Sequence, residues 1–355
     1  MNQIETPLIS ASRGFVGWLS SQNAALAIST YQTGKLFLIG HNQNSQFSVF
    51  ERTFERAMGL AGNAQTIYMA TLYQLWRMEN VLQPNETTQD YDRSYVPQVG
   101  FTTGDLNVHD VALDGNGRPL FISARFSCLA TVSDRYHFCP LWKPKFITKL
   151  AGEDRCHLNG LAMVDGHARY VTACAETDIV DGWRDHRRDG GVVIDLQSDQ
   201  IIARGLSMPH SPRWYRDRLW LSDAGTGYFG FLDEASGKFE RIAFCPGFAR
   251  GLSFVGNYAV VGISLPRHDP TFQGLPLQEN LAAAKVSARC GVLVIDLDSG
   301  DIVHWLQMQE PIRELYDILV LPGVGRPRLV GFKTDEIRTI VWPDPEATTQ
   351  LFNES

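Results

Sequence analysis

The feature that most constrains the fold of this chain is a six-fold repetition of one short segment. In each copy a polar or charged residue stands just before a brief apolar run. The copies are Arg56-Ala-Met-Gly-Leu-Ala61, Asn107-Val-His-Asp-Val-Ala112, His157-Leu-Asn-Gly-Leu-Ala162, Met208-Pro-His-Ser-Pro-Arg213, Phe248-Ala-Arg-Gly-Leu-Ser253 and Glu314-Leu-Tyr-Asp-Ile-Leu319. Aligned on their fourth residues, which we call the anchors, they stand 51, 50, 51, 40 and 66 residues apart. Self-similarity at such a period is typical of repeat architectures.

Each period contains further strand-like runs. A second run, rich in β-branched and aromatic residues, follows the first in every repeat, at 66–71, 119–123, 169–172, 218–222, 258–262 and 328–332. A hairpin comes next, clearest at 192–201 and 292–302, with Ser-Asp or Ser-Gly at its turn. Four short strands per period of about 50 residues predict an all-β propeller with four antiparallel strands per blade. No helical pattern separates the strands, which excludes parallel βαβ units.

The whole chain, 1–355, is therefore predicted to be one propeller domain. Six inner strands favour six blades, and further strand-like runs at 24–30, 35–41 and 46–54 precede the first complete repeat. At least one of these runs, all within 24–54, is expected to close the ring by pairing with the last repeat. If all three formed a blade of their own, the count would be seven. A short amphipathic helix within 12–22 is expected to cap the disc.

Composition narrows the classes of partner. The formal charge of −7 provides no basic surface for nucleic acid or for an anionic membrane. No apolar run reaches the roughly 18 residues that cross a bilayer, and no secretory signal opens the chain. The six cysteines form no CxxC pair, so free thiols in a reducing compartment are expected. We therefore expect a cytoplasmic protein; its oligomeric state stays open.

Polar side chains replace apolar ones at matched positions of the six inner strands. The residues one position before the anchors are Met58, His109, Asn159, His210, Arg250 and Tyr316. The residues two positions earlier, on the same face of a strand, are Arg56, Asn107, His157, Met208, Phe248 and Glu314. Because inner strands converge on one axis, these side chains are expected to meet in the central channel.

Three histidines of this set predict a metal centre. His109, His210 and either His157 or Asn159 are expected to share a divalent transition metal such as Fe, Zn, Mn or Cu, with His157 the chosen third ligand. A site of this kind with an open position activates water or dioxygen. Arg250 is the candidate anion anchor and Tyr316 the candidate proton donor. Asp317 is the third candidate catalytic residue, as a supporting or ligating carboxylate, and Glu314 is its alternative.

The loops that open on the same face supply candidate substrate contacts. The predicted substrate-binding residues are Arg125, Asn159, Glu176, Asp223, Arg267 and Lys333. Two long connections, 82–103 and 266–289, exceed the usual length, and the second is expected to overhang the site. The alternative is that channel residues only bind ordered water and neighbouring backbone, as polar groups in wet channels commonly do.

Several segments resemble a bacterial family of conserved proteins of unknown function. They include 29–36, 154–162, 189–194, 205–214 and 331–337, so the likeness spans nearly the whole chain. A more distant likeness joins Asn159-Gly-Leu-Ala162 to six-bladed calcium-dependent propellers of the gluconolactonase, regucalcin and strictosidine-synthase type. That resemblance implies a metal or substrate site at the channel, but His109 and His210 depart from an all-oxygen calcium site.

These observations favour a metal-dependent enzyme that acts on a small polar metabolite or a peptide side chain. Hydrolysis or lactone opening by a metal-activated water is one reaction class, and metal-assisted oxidation is the other. The alternative is a non-catalytic scaffold that binds a peptide or partner protein on the same face. A lectin role comes third, suggested by the aromatic residues Trp183, Phe126 and Tyr228.

Overall fold

The computed structural model describes residues 9–42, 44–266, 273–332 and 334–343. Over these ranges the helices are α1 (Phe15–Ser21), α2 (Pro276–Ala284) and α3 (Glu336–Thr339), with a 3₁₀ turn at Gly182–His186. The strands of the first half are β1 (Ile9–Ala11), β2 (Ala24–Thr30), β3 (Lys35–His41), β4 (Phe47–Thr53), β5 (Leu60–Gly62), β6 (Thr66–Ala70), β7 (Gln74–Asn80), β8 (Arg93–Thr102), β9 (Val108–Leu113), β10 (Pro119–Ser123), β11 (Cys128–Thr131), β12 (Cys139–Trp142) and β13 (Leu158–Val164). The strands of the second half are β14 (His167–Ala173), β15 (Gly191–Asp195), β16 (Gln200–Leu206), β17 (Pro209–Tyr215), β18 (Arg218–Asp223), β19 (Tyr228–Asp233), β20 (Lys238–Phe244), β21 (Phe248–Val255), β22 (Tyr258–Ser264), β23 (Gly291–Asp296), β24 (Ile302–Met308), β25 (Leu315–Pro322) and β26 (Pro327–Leu329).

These strands form the six blades of a β-propeller, which confirms the all-β prediction. From the inside outward, the blades are β25-β2-β3-β4 (blade 1), β5-β6-β7-β8 (blade 2), β9-β10-β11-β12 (blade 3), β13-β14-β15-β16 (blade 4), β17-β18-β19-β20 (blade 5) and β21-β22-β23-β24 (blade 6). Each blade consists of four antiparallel strands, and β1 and β26 add a fifth strand at the outer edges of blades 6 and 2. All six repeated segments supply an inner strand, as expected.

The two ends of the chain meet in blade 1 and close the ring. The C-terminal inner strand β25 pairs with β2, where Ile28 lies opposite Ile318. All three N-terminal runs join this blade, so none is left to form a seventh. The run predicted at 328–332 as the second strand of the last repeat is corrected accordingly. Its position beside β25 is already filled by β2, and β26 instead pairs parallel with β8 at the outer edge of blade 2.

Apolar side chains fill the spaces between neighbouring blades. Ile28 and Phe37 of blade 1 share a buried cluster with Val260 and Val294 of blade 6. The predicted N-terminal helix is present as the shorter α1, whose Phe15, Trp18 and Leu19 are buried in that same cluster. The helix therefore seals the junction between blades 1 and 6. No helix within the described ranges is long and apolar enough to cross a membrane.

The anchor residues alternate between polar and glycine around the ring. In blades 1, 3 and 5 the anchors are Asp317, Asp110 and Ser211, and each accepts a hydrogen bond from the next blade's inner strand. In blades 2, 4 and 6 the anchors are Gly59, Gly160 and Gly251. A Cβ at Gly160 would lie 2.1 Å from Pro212 Cδ of the next blade, and one at Gly251 would lie 2.9 Å from Asp317 Cα. Two kinds of junction therefore alternate around the ring, which gives the channel an approximate threefold symmetry. A hydrogen bond to the polar anchor joins blades 1–2, 3–4 and 5–6, and glycine allows close approach between blades 2–3, 4–5 and 6–1.

Candidate metal centre

Three histidines from three consecutive blades meet at one mouth of the channel. His109 lies on β9 and His210 occupies the matching position on β17, while His157 directly precedes β13. One ring nitrogen of each lies within 4.8 Å of one ring nitrogen of both others. His109 and His210 are buried, and the side chain of His157 is 11% exposed. The structure thus brings together the three histidines predicted as metal ligands.

The backbone just before the inner strands explains how His157 joins the two others. His157 has a left-handed conformation with φ of 50°, as do Asn107 (49°) and Met208 (47°) at the matching positions of the neighbouring blades. Residues other than glycine rarely adopt this conformation, and such strain is concentrated at functional sites. The left-handed residue turns the chain into the strand. All three of these residues reach the channel mouth, while Asn159 in blade 4 is bonded to Thr172 and Cys174 instead.

All three imidazoles are held by hydrogen bonds from Nδ1. The Nδ1 of His109 donates to the carbonyl oxygen of Asn107 at 3.0 Å, and that of His210 to the carbonyl oxygen of Met208 at 2.9 Å. The Nδ1 of His157 donates to Oδ2 of Asp154 at 2.8 Å. Because carbonyl and carboxylate oxygens only accept, each Nδ1 carries the proton. The lone pair of a neutral ring is then on Nε2, the tautomer that hydrogen-bonded metal ligands adopt.

The surroundings disfavour protonation of two of these rings. Burial lowers the pKa of His109 well below its ordinary value, with further lowering by His157 and Arg250. Burial likewise lowers the pKa of His210, and the nearby Arg250 guanidinium adds to that effect. Both imidazoles are therefore neutral near pH 7 and able to act as ligands.

Aromatic side chains form the walls around the histidines. Trp183 stacks on His157 with ring centroids 4.1 Å apart and an angle of 27° between planes, and Phe248 contacts His210 edge-on at 5.4 Å. Trp183 is 2% exposed. Leu275 and Leu277 of the 266–289 connection share a buried cluster with both aromatic residues. The described part of this connection therefore packs behind the wall of the site.

Arg250 and two tyrosines form a stacked group on the opposite wall. The Arg250 guanidinium carbon lies 3.3 Å from the ring centroid of Tyr316, and Tyr316 stacks on Tyr31 at 5.4 Å. The Tyr316 hydroxyl donates to the carbonyl oxygen of Val108 at 3.2 Å. Burial raises the pKa of this hydroxyl far above its ordinary value, so it keeps its proton.

These residues enclose a cavity of about 170 Å³. The side chains lining it are Tyr31, Asn107, His109, Asp154, His157, Trp183, Arg184, Met208, His210, Phe248, Arg250 and Tyr316. An outer recess of about 360 Å³ shares Tyr31, Asn107 and Asp154 with this cavity and also contacts Arg125 and Val180. A ligand at the histidines therefore has room for a few atoms inside and for a longer portion outside.

Asp317 lies in a different layer of the channel, with no place in the cavity lining. Its two carboxylate oxygens accept from the backbone N–H groups of Leu60 (2.8 Å) and Ile318 (2.9 Å). Arg213 lies between Asp317, 3.7 Å away, and Asp110, which it binds through both carboxylate oxygens at 2.7 and 3.0 Å. Burial raises the pKa of Asp317 to about 7 although Arg213 opposes the shift.

A comparison with protein families decides the classification. The sequence model of a family described as a domain of unknown function matches residues 13–330, most of the chain. The chain belongs to this family, DUF4915. The resemblance to a conserved family of unknown function is thereby confirmed. A comparison with curated protein sequences gives no significant match.

Solved structures show the same fold at low sequence identity. A chain of the nidogen/laminin complex superposes with a TM-score of 0.54 at 13% identity, over 85% of this chain and 99% of that one. A luciferin-regenerating enzyme gives 0.42 at 9% identity, over 91% and 100% of the two chains. Virginiamycin B lyase from Staphylococcus aureus gives 0.38 at 12% identity, over 66% and 76%. At 13% identity the likeness to the nidogen/laminin chain shows the fold alone.

The structure places three of the six predicted substrate contacts away from the cavity. Asn159 is bonded to Thr172 within its own blade, and Glu176 pairs with Arg204 on the surface at 2.9 Å. Asp223 is buried and accepts from the backbone of Ser207, and burial raises its pKa to about 6.

Arg125 reaches the outer recess, where its guanidinium donates to the carbonyl oxygen of Asp105. Arg267 and Lys333 lie outside the described residues. Of the three aromatic residues considered for a lectin, Trp183 is buried against His157, while Phe126 and Tyr228 are half-buried.

Two parts of the site were not predicted from the sequence. Asp154 has no role in the sequence-based prediction, and its position three residues before His157 is the one signal that could have indicated a hydrogen-bonded pair. Tyr31, in the turn directly after β2, stacks on Tyr316 from the other end of the described chain. No local pattern indicates that contact, because ring closure alone brings the two tyrosines together.

Proposed function

We propose that this face of the propeller is a catalytic centre for a divalent transition metal, held by Nε2 of His109, His157 and His210. The observation that carries the proposal is that all three Nδ1 atoms already donate to fixed acceptors. In its neutral form each ring then has its lone pair on Nε2, and one ring nitrogen of each histidine lies within 4.8 Å of one of both others. Three imidazoles suit Zn, Fe, Cu or Mn, and the Asp154 carboxylate behind His157 is the usual outer partner of such a ligand.

Convergent lone pairs favour a cation over the alternative of ordered water alone. Three acceptors in a buried cavity repel one another and repel an anion, whereas a cation satisfies all three at once. Without a metal, Arg250, Asp154 and Glu314 leave the neighbourhood with a formal charge of −1. Both the donor set and the local charge therefore attract a positive ion.

The number of protein ligands favours catalysis over a structural role. Structural zinc sites are closed by four protein ligands, while catalytic sites keep a position for water or substrate. Three histidines facing a cavity of about 170 Å³ match the second kind. A metal there would supply Lewis acidity and a nucleophile from water, for hydrolysis or lactone opening, or a redox centre for metal-assisted oxidation.

The chain's own residues would bind and orient the substrate. Arg250 would hold an anionic group of a small polar metabolite or peptide side chain. Tyr316 would act as a positioning residue, since its proton is already donated to Val108 and its ring supports the guanidinium. We assign Asp317 to the structure of the channel. The six free cysteines, all in the described ranges, suit the proposed cytoplasmic location.

A scaffold that binds a peptide or partner protein on this face is the second candidate. Ile179 and Val180 support it, because they stand 70% and 55% exposed beside the outer recess. An exposed apolar pair at the mouth suits a protein partner as well as an apolar part of a substrate.

Metal titration tests the proposal. Metal-stripped protein is titrated with Zn²⁺ against a chromophoric chelator, as wild type and as the double variant His109→Ala/His210→Ala. The control is His167→Ala, which removes an exposed histidine on β14. We expect one tight site per chain in wild type and control, and its loss in the double variant. Folded wild-type protein without a tight site would contradict the proposal.

A further inference from the structure

We infer that the ligand taken by this centre is a small carboxylate, bound between the metal position and the Arg250 guanidinium. The inference rests on the proposed metal function and adds the chemical class of the substrate. It is carried by the bonding of Arg250, by the stacking that fixes it, and by the charge of the cavity.

One nitrogen of the Arg250 guanidinium has no hydrogen-bond partner among the described residues. The residue lines the cavity and is 7% exposed. Its Nη1 lies 3.7 Å from Glu314 Oε1, while its Nη2 is buried without a hydrogen-bond partner among the described residues. An unpartnered buried guanidinium nitrogen is costly unless a ligand satisfies it. An oxygen atom is the partner that such a nitrogen requires.

The stacking on Tyr316 determines which part of the guanidinium faces the cavity. Its flat face is covered by the Tyr316 ring at 3.3 Å, so only its edge is left to donate. Tyr316 is itself fixed by Tyr31 and by the bond from its hydroxyl to Val108. A planar carboxylate matches the edge of a fixed guanidinium, because two oxygens lie in the plane of the donors.

The charge of the site favours a monoanion. Arg184 on the rim pairs with Asp181 at 3.3 Å, so these two opposite charges add nothing to the formal charge of the site. A divalent metal converts the formal charge of −1 from Arg250, Asp154 and Glu314 into +1. A bound carboxylate then brings the formal charge of the site to zero, whereas a bound phosphate dianion would make it −1. A neutral ligand would leave one positive charge uncompensated in a buried cavity.

Anion binding to the cobalt-loaded protein tests this inference. Co²⁺ replaces the native metal, and its visible absorption bands report changes in coordination. The probes are acetate, its neutral counterpart acetamide, and inorganic phosphate. We expect acetate to shift the bands, with little response to acetamide and weaker binding of phosphate.

Variants of Arg250 show whether the guanidinium is responsible. We expect Arg250→Gln to weaken acetate binding roughly 10- to 100-fold, with undiminished affinity for Co²⁺. Arg250→Lys keeps the charge and is expected to recover part of the loss. Arg204→Gln, which removes a surface arginine paired with Glu176, serves as the matched control.

Equal acetate affinity in wild type and Arg250→Gln would overturn the inference, as would an acetamide response equal to that of acetate or tighter binding of phosphate. If the cobalt bands are present but do not respond to acetate, the carboxylate inference is overturned and the metal centre is not. Absence of the bands overturns the metal centre and the inference with it.

Discussion

The Nδ1 of His157 donates its proton to Oδ2 of Asp154 at 2.8 Å, and this bond fixes both the tautomer and the rotation of the ring. The two other histidines obtain the same constraint from backbone carbonyls two residues earlier. His157 therefore differs from its partners in depending on a side chain. It is the one ligand whose orientation a conservative substitution elsewhere can loosen.

We expect Asp154→Asn to weaken Zn²⁺ binding about 10- to 100-fold with little change in stability. The amide lacks the negative charge that holds the Nδ1 proton, so the Nε2 lone pair becomes less basic. Chelator competition measures the affinity. Glu153→Gln in the same loop is the control, because that carboxylate binds Arg155 and not His157. Equal affinities in the two variants would argue against the outer-partner role.

Trp183 is expected to retain the metal by covering His157. Trp183→Ala removes a buried ring, so we expect the free energy of unfolding to fall by about 3–5 kcal/mol and the metal to dissociate faster. Trp183→Phe keeps a ring over the imidazole and is expected to fall between wild type and the alanine variant. Urea unfolding and the rate of zinc release to a chelator measure the two effects. Unchanged release from the alanine variant would show that the stack has no such role.

Two glycines with different surroundings are expected to respond in opposite ways to substitution by alanine. One lies at the close approach between blades 4 and 5, and the other lies on a helix with open space beside it. Gly160→Ala would place a methyl group 2.1 Å from Pro212 Cδ, and we expect it to destabilise the protein by about 1–3 kcal/mol. Gly17→Ala, in α1, meets no atom within 4 Å and is expected to stabilise by up to about 1 kcal/mol. Thermal and urea unfolding compare them. A neutral Gly160→Ala variant would contradict the proposed spacing of the inner strands.

Burial raises the pKa of Asp317 from 3.8 to about 7, and this shift predicts the sign of a pH dependence. The folded protein then binds this proton more tightly than the unfolded chain does between about pH 4 and 7. The stabilising contribution is full below about pH 4 and is lost as the pH rises toward 7, by at most about 1.4 kcal/mol per pH unit.

Asp317→Asn removes that titration. Urea unfolding of both proteins from pH 4 to 8 isolates the effect, because the other titrating groups cancel in the difference. The advantage of wild type over the variant is expected to shrink as the pH rises. A constant difference across this range would mean that Asp317 does not titrate there.

The propeller and the cluster of His109, His157 and His210 could be predicted because they depend on local pattern. The six inner strands repeat at matched spacing, and His109 and His210 hold equivalent positions in their repeats. Their side chains therefore had to point the same way once the fold was known. The blade count was harder, since it depends on pairing between β2 and β25 at the two ends of the chain.

Other features depend on geometry that a linear pattern does not contain. His157 lines the cavity and Asn159 does not, because the Asn159 side chain is bonded to Thr172 and Cys174 within its own blade. Asp317 was expected at the metal but is directed to the backbone of the neighbouring blade. Asp317 also lies beside Arg213. The guanidinium of Arg213 stands between Asp317 of blade 1 and Asp110 of blade 3 and holds these two carboxylates in the channel.

Anomalous diffraction at the zinc edge, from crystals of the protein grown with Zn²⁺, tests the central claim most directly. We predict a single strong peak in the channel mouth, bonded to Nε2 of His109, His157 and His210, with a further position open toward the cavity. Folded protein whose crystals show no peak there, or a peak bonded to other residues, would contradict the account.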